Sequence, residues 1–388
     1  MKVIVTGGAG FIGSTAINRL VARGDSVVAI DNLSQGHRQA LPKGVPLVRI
    51  DIRDRSAVTS VLREHSPDAV LHFAALTIAP ESVHDPAPYW RVNTGGTINV
   101  LDAMVDAKVS AIVFSSTAAV YGAPDHIPIH EDAPLLPINP YGASKLAAER
   151  ATASYAAAYD LAFAALRYFN VAGATELVGE DHRPETHLIP SALDAAAGRR
   201  EPLSVFGTDF PTRDGTAVRD YVHVEDLIDA HLLALDCVVA DGNSLGAMNL
   251  GTRGGASVRE VLDAVARVVG TPVPVVYSGR RPGDPAALVA DASRASEVLG
   301  WRPTRSTLDE MVASAWTWRQ RFPHGYDDEH ESPGDSEGSG LADSPLGSTP
   351  EPADVSLMPK NDDRRYRQNG DGGRPVELAG GREHDGQQ

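Results

Sequence analysis

Almost at its first residue the chain runs a β-branched segment, Lys2-Val3-Ile4-Val5-Thr6, straight into Gly7-Gly8-Ala9-Gly10-Phe11-Ile12-Gly13 and then into a helical pattern. A strand that feeds a helix through three spaced glycines has few architectures open to it. Gly7 permits a tight turn, Gly10 lets a pyrophosphate come close, and Gly13 lets the helix pack on the strand, with Phe11 and Ile12 completing the loop. Asp31 ends the next β-branched run 18 residues after Gly13, near the spacing of a dinucleotide-binding unit. Its carboxylate can accept both adenosine ribose hydroxyls and would repel a 2′-phosphate, so NAD is expected rather than NADP. Asn32 follows directly. Asp51 and Ile52, after the third strand, are placed to flank an adenine, although Asp51 reads equally well as a helix cap.

Short strands alternate with helices through the first half of the chain. Residues 3–6, 27–30, 47–50, 69–73, 112–116 and 163–167 have strand composition, and 14–23, 55–65, 94–107 and 141–159 have helical composition and length. This rhythm implies an α/β fold with a doubly wound parallel sheet. Beyond about residue 171 it breaks into short helices at 187–197 and 258–269 and isolated strands at 203–206 and 273–276. The expected division is a first domain over 1–170, a smaller C-terminal substrate-binding α/β domain over 171–326, and a cleft between them. Part of 219–250 is expected to cross back onto the first domain.

The chain has 388 residues and a formal charge of −16, which is unfavourable for nucleic acid or an anionic membrane. Residues 327–388 hold 15 acidic against 6 basic side chains, so most of that charge belongs to the end of the chain and the body is only mildly acidic. The same stretch is rich in Gly, Ser, Pro and Asp, lacks an apolar period, and reads as a disordered acidic tail. No apolar run approaches the ~20 residues of a membrane span, and the N-terminus reads as a buried strand instead of a signal peptide. A cytoplasmic location is expected. The single Cys237 cannot form an internal disulfide and sits in an apolar helical run as a small core residue.

Asn139-Pro140-Tyr141-Gly142-Ala143-Ser144-Lys145 carries the chemistry. Asn139 suits a helix N-cap and Pro140 a first helical position, so Tyr141 and Lys145 fall at i and i+4 in the opening turns. Ionising a tyrosine of pKa ~10 at pH 7 costs about 4 kcal/mol. One cation at ~4 Å and an effective dielectric of about 20 offers a similar amount. The expectation is a Tyr141 phenolate, held by Lys145 and acting as base on a sugar or alcohol hydroxyl.

The glycine spacing together with Tyr141-x-x-x-Lys145 resembles the extended short-chain dehydrogenase/reductase family, the NAD-dependent epimerases and dehydratases. Further stretches narrow the likeness to its UDP-glucose 4-epimerase branch: Asp31-Asn32-Leu33, His72-Phe73-Ala74-Ala75, residues 137–145, Arg167-Tyr168-Phe169-Asn170, Arg219-Asp220-Tyr221-Val222-His223-Val224 and residues 280–284. The resemblance spans almost all of 1–326. It implies a Rossmann sheet, a homodimer paired through the helices at 94–107 and 141–159, and a tightly held NAD touched by Phe73, Ala74, Ala75, Asn93, Tyr141, Lys145 and Tyr168. It also implies that Thr117 bonds the reacting oxygen beside Tyr141. Arg219 and Arg281 would grip a diphosphate, Asn170 would add a neutral donor, and Asp284 would bind the uridine ribose. His187, Leu188 and Tyr221 complete the substrate set. Phe206 reads as either uracil pocket or core strand.

The implied reaction interconverts UDP-galactose and UDP-glucose through a transient 4-keto sugar. Nucleotide-sugar 4,6-dehydratases of the same family need an Asp-Glu pair directly after the threonine, and here that pair is Ala118-Ala119. Methyl groups cannot move protons, so elimination is disfavoured, as is decarboxylation through a glutamate in this region. The non-enzymatic alternative is an NAD-binding sensor or scaffold with the tail as its working part. Leu288 stands at the gate position, aromatic in enzymes restricted to plain hexoses and smaller in those taking N-acetylated sugars, so UDP-N-acetylglucosamine or a UDP-pentose is an alternative substrate. Ser115 reads as a strand terminator bonded to backbone, and Ser116 as a lesser site candidate. His187 and His223 lack a spaced set of further ligands, so no metal is expected, and His223 reads as a structural hydrogen-bonding histidine.

Overall fold

The computed structural model describes residues 1–281 and 284–326. The acidic tail expected over 327–388 lies outside the described residues. In chain order the strands are β1 (Lys2–Thr6), β2 (Ser26–Asp31), β3 (Leu47–Arg49), β4 (Ala69–His72), β5 (Ala111–Thr117), β6 (Ala162–Tyr168), β7 (Asn170–Ala172), β8 (Leu203–Phe206), β9 (Val218–Arg219), β10 (Tyr221–His223), β11 (Gly246–Leu250), β12 (Ala256–Ser257), β13 (Val275–Ser278) and β14 (Ala287–Leu288). The helices are α1 (Phe11–Arg23), α2 (Arg55–His65), α3 (Ala79–His84), α4 (Pro86–Tyr89), α5 (Thr97–Ala107), α6 (Pro140–Tyr159), α7 (Leu188–Ala196), α8 (Val224–Asp241), α9 (Val258–Val269), α10 (Ser293–Leu299) and α11 (Leu308–Arg321).

Seven strands form one sheet in the order β11-β6-β5-β4-β1-β2-β3, every pair parallel. Parallel strands need crossover helices, and these cover both faces, which is why β5 is buried along its whole length. One face packs Ile17 and Leu20 of α1 and Leu227, Ile228 and Leu235 of α8. The other packs Val58 and Leu62 of α2 with Leu101 and Met104 of α5. After residue 219 the chain runs through α8, and β11 adds a strand beside β6.

Local chemistry explains most boundaries. Asn139 caps α6 by accepting from Gly142 N at 2.8 Å, with Pro140 in its first turn. Ser257 and Glu260 form a reciprocal capping box at α9. Asp54, not Asp51, caps α2, accepting from Ala57 N at 3.0 Å. The expected strand at 273–276 begins later, at Val275, because Pro274 has no N–H to give a ladder. The helix expected over 94–107 is preceded by a π-helical turn, Trp90–Gly96, before α5 takes over.

A second core gathers Ile189 and Leu193 of α7, Val261 and Val265 of α9, and Met311 and Val312 of α11. Beside it, Asp220 joins segments distant in sequence. Its fully buried carboxylate accepts from Thr252 N at 2.8 Å, Thr252 Oγ1 at 2.6 Å, Arg253 N at 3.2 Å and Ala290 N at 3.0 Å. Its carbonyl accepts from Asn170 N, holding β7 next to β10. No helix among the described residues is long and apolar enough to cross a membrane.

Removing that acceptor strands several buried donors at once. Asp220→Ala should lower unfolding stability by about 3 kcal/mol or more in urea titrations. A loss under about 1 kcal/mol would show that Asp220 does not organise this junction.

Candidate active site

Strand order reverses between β1 and β4, so the loops leaving their carboxyl ends diverge and open a crevice, the usual ligand position in such sheets. The glycine loop forms one wall. Gly7 has φ +67°, and a Cβ there would fall 2.6 Å from Ala74 N. A Cβ on Gly13 would fall 2.1 Å from Gly7 O, so α1 packs on the loop only because both side chains are hydrogen. Gly10 is the N-cap of α1 and supplies no side-chain acceptor, and no acidic residue occupies the first turn. The opening amides of Phe11 and Ile12 therefore suit an anion, reinforced by the positive helix end.

Asp31, at the tip of β2, accepts from Ala9 N at 3.0 Å and Leu33 N at 2.8 Å. Burial raises its carboxyl pKa, and these amides oppose the rise. Asn32 donates to Asp51 Oδ2 at 2.9 Å, and Arg53 on the same carboxylate holds Asp51 far below the usual carboxylate range. Ile52 is buried in the core beneath Gly96. An uncapped helix start, a loop without side chains and a carboxylate at the second strand form a donor set that fits a dinucleotide diphosphate and its adenosine ribose.

The opposite wall is α6. The Thr117 hydroxyl is hydrogen-bonded to the Tyr141 phenol, and Lys145 lies one turn further along with Nζ 4.4 Å from the centre of the Phe114 ring. Thr117 and Tyr141 therefore meet at the carboxyl end of β5, with Lys145 one turn along α6 against Phe114. Their charge states differ from the sequence expectation. Burial raises the Tyr141 pKa, with the Thr117 hydrogen bond pulling the other way. Burial also lowers Lys145 to about 7, against the raising influence of Glu149. Both shifts have one cause: excluding water penalises phenolate and ammonium alike. In the protein alone Tyr141 is a phenol, and the Lys145 charge does not offset its desolvation.

In the segments after β7, Arg219 pairs with Asp284 and donates to Val218 O at 2.7 Å. The guanidinium of Arg281 stacks 3.8 Å from the centre of the Phe206 ring, so that ring belongs to both a strand and the exposed rim. Arg280 pairs with Asp209 at the surface at 2.8 Å. Asn170 Nδ2 donates to Asp220 O at 3.1 Å. Tyr221 is buried beside Arg219, its pKa pushed up to about 12 by desolvation. Leu188 opens α7. Leu288 packs against the Val120, Tyr121, Ile129 and Leu146 cluster with Phe169.

Residues 3–251 match the profile of the NAD dependent epimerase/dehydratase family. The chain belongs to that family. It is 47% identical over 330 residues to a UDP-glucose 4-epimerase of Lacticaseibacillus casei, covering 84% of this chain and 99% of that one. It is similar to the crystal structure of UDP-glucose 4-epimerase from Brucella ovis in complex with NAD (TM-score 0.79, 46% identity, 82% of this chain and 98% of that one). It is also similar to the enzyme from Bifidobacterium longum in complex with NAD+ and UDP (TM-score 0.79, 38% identity, 84% of this chain and 100% of that one).

Within this family member, several residues have partners that their sequence expectation did not include. Asn93, whose expected cofactor contact these bonds leave open, bonds Leu76 N and O at 2.8 and 3.0 Å and Ser144 Oγ at 3.0 Å. Its amide clamps the loop after β4, which carries Phe73, Ala74 and Ala75, to α6. Ser115 does not end a strand: β5 runs on to Thr117, and its hydroxyl meets the Tyr168 phenol. Ser116 donates to Glu149 Oε2 at 2.6 Å. His223 is structural as expected, accepting from Glu225 N at 3.1 Å and meeting Ser314 Oγ at 3.0 Å. Cys237 is half-buried beside the sheet core.

Sequence reading missed Glu149. It lies four residues after Lys145, pairs with Arg167 in the interior, and is the one group that raises the Lys145 pKa. The i, i+4 spacing on α6 was the available signal. The premise that His187 lacks companions is also overturned. A turn brings Glu180, His182, Glu185 and His187 together, and Glu180 pushes the His187 pKa up to about 11.

Lys145 gives a signed pH dependence. Its folded pKa of about 7 lies below the ordinary 10.5, so the unfolded chain binds the extra proton between those values. Stability should therefore rise across that window as pH increases. In thermal unfolding of cofactor-free protein from pH 7 to 9, the wild type should gain relative to Lys145→Met. Parallel profiles would reject the buried, weakly basic lysine.

Proposed function

We propose that this protein inverts the C4 carbinol of a UDP-hexose, interconverting UDP-galactose and UDP-glucose, with NAD retained between turnovers. One juxtaposition carries this reading: Thr117, Tyr141 and Lys145 share the crevice, while the adjoining positions are Ala118 and Ala119. Those alanines stand where an elimination would need its acid and base. A Cβ on Gly142 would fall 2.5 Å from Ala119 O, so they lie against the start of the catalytic helix. Relatives named UDP-glucose 4-epimerase, 47% identical over most of the chain, support the same reading.

When bound, oxidised NAD supplies a hydride acceptor and a positive charge near the reacting carbon. Tyr141 must first lose its own proton, which the nicotinamide charge and Lys145 would favour; its phenolate oxygen then takes the C4 hydroxyl proton, and Thr117 holds that oxygen in line by hydrogen bonding. Lys145 stabilises the phenol oxygen when it ionises, and its pKa of about 7 allows it to gain or lose a proton at working pH. Arg219 and Arg281 hold the diphosphate through their guanidinium forks, while Asp284 accepts from the ribose. A hexose held only through its diphosphate can turn over as the 4-keto sugar, so the same tyrosine returns the proton after reduction from the opposite face.

A homodimer paired through the outer faces of α5 and α6 is the assembly this reading carries. The exposed Trp90 and Tyr159 rings, at the entry to α5 and the end of α6, support that surface. Incubation of the purified chain with UDP-galactose, without added cofactor, should yield UDP-glucose. Tyr141→Phe should lower that turnover by about 100- to 10,000-fold while NAD remains bound. Full activity in the variant would remove Tyr141 from proton transfer. UDP-N-acetylglucosamine is the second substrate to assay, because Leu288 leaves an aliphatic gate. Leu288→Tyr should reduce turnover of the N-acetylated sugar more than that of UDP-galactose, and an equal effect on both would exclude Leu288 as the gate.

A further inference from the structure

The turn between β7 and α7 holds a cluster of which only His187 stands in the expected substrate set; Glu180, His182 and Glu185 have no part in the proposed epimerisation. Glu180, His182, Glu185 and His187 follow an E-x-H-x-x-E-x-H spacing, and their ligand atoms all lie within 4.8 Å of one another. From these residues we propose a divalent transition-metal site, suited to Zn2+, with two imidazole nitrogens and two carboxylate oxygens as ligands.

The distances fit that metal. A tetrahedral zinc with bonds of about 2.0–2.2 Å sets neighbouring ligand atoms about 3.4 Å apart. Here His187 Nδ1 is 2.8 Å from Glu180 Oε1 and 3.1 Å from Glu185 Oε1, while His182 Nδ1 is 3.2 Å from Glu180 Oε1 and 4.0 Å from Glu185 Oε2. These separations straddle the tetrahedral edge, and both imidazoles present the same nitrogen to the carboxylates. Harder, octahedral cations such as Mg2+ favour all-oxygen sets with bound water, which two imidazoles do not provide.

A second observation points to a missing partner. His182 Nδ1 and Glu185 Oε2 are fully buried side-chain atoms that make no hydrogen bond. Orphaned buried polar atoms are rare in folded proteins, and an ion is one accepted explanation for them. Their contacts are ion pairs alone, with Glu180 Oε1 at 3.2 Å and Arg319 at 3.6 Å, and a divalent cation would give each a directed ligand bond. Two carboxylates and one such cation also leave the site neutral, which avoids uncompensated buried charge.

The cluster is held by its surroundings. Glu180 is buried, and its carbonyl accepts from Arg319 Nη2 at 3.3 Å. Gly179 N donates to Tyr326 OH at 3.2 Å. Arg319 is the opposing charge, 3.6 Å from Glu185 Oε2, but it also pairs with Asp194 of α7 at 2.8 Å. A bound metal would staple the turn to His187, the N-cap of α7, next to Leu188, and so stiffen that helix start without entering the hydride chemistry.

The test uses the full chain, purified without a histidine tag and stripped with a chelator. Titrating zinc chloride against a chromogenic chelator should show about one tight equivalent per chain. Glu180→Gln and His182→Asn should each weaken that equivalent by at least about 100-fold, with circular dichroism confirming that both variants fold. Zinc should raise the thermal midpoint of the wild type and not of the variants, and Mg2+ should do neither. No tight equivalent in the wild type, or one unchanged in both folded variants, would overturn the site. Because the readouts are metal content and stability, failure here leaves the epimerase reading untouched, and loss of epimerase activity alone does not count for the metal.

Discussion

The reversal of strand order between β1 and β4 is the constraint on which the rest of this molecule hangs. Two neighbouring parallel strands send their chains to opposite faces of the sheet, and the gap they leave has no backbone to fill it. Around it, Asp31 ends β2, Thr117 ends β5, and Tyr141 and Lys145 stand on α6. The gap stays open at the right width because Gly7 approaches the Ala74 backbone with no Cβ between them. One methyl group there would push the glycine loop off β4 and spread the crevice.

Beneath the catalytic helix runs a buried polar network that no single motif announces. Glu149 receives the Ser116 hydroxyl and the Arg167 guanidinium, and Arg167 donates onward to Tyr121 OH at 2.8 Å, which in turn meets Asn249 Oδ1 at 2.8 Å. The chain thus links β5, α6, β6 and β11, all elements that position the site. A buried ion pair contributes little net stability once desolvation is counted, but breaking one partner is costly, so such a network fixes geometry more than it adds free energy. Lys145 senses it through Glu149, which limits how far burial can depress the lysine.

Much of the fold was legible because parallel α/β sheets rest on local signals. Asn139 and Pro140 mark the start of α6, and continuous β-branched runs mark strands buried on both faces. The glycine loop and Asp31 were legible for the same reason, since each occupies a defined place in one strand-loop-helix unit. The misreadings have a common origin in contacts across long sequence separations. Ser115 reads as a strand terminator until β6 brings the Tyr168 phenol to its hydroxyl. His187 reads as a solitary histidine until one turn folds Glu180, His182 and Glu185 around it.

Residue identity and spacing alone determined the sheet type, the dinucleotide loop, the Tyr141 and Lys145 pairing on one helix face, and the absence of proton-moving groups at Ala118 and Ala119. Each depends only on neighbours within a few turns of the chain. The tertiary structure decided the charge states and the shared partners: a phenol instead of a phenolate at Tyr141, a lysine poised near neutrality, an Asp220 carboxylate with four donors, and a ligand-like cluster before α7. Protonation and coordination follow from how completely water is excluded, and that depends on packing by residues such as Phe114 and Trp318, which lie far from these groups in sequence.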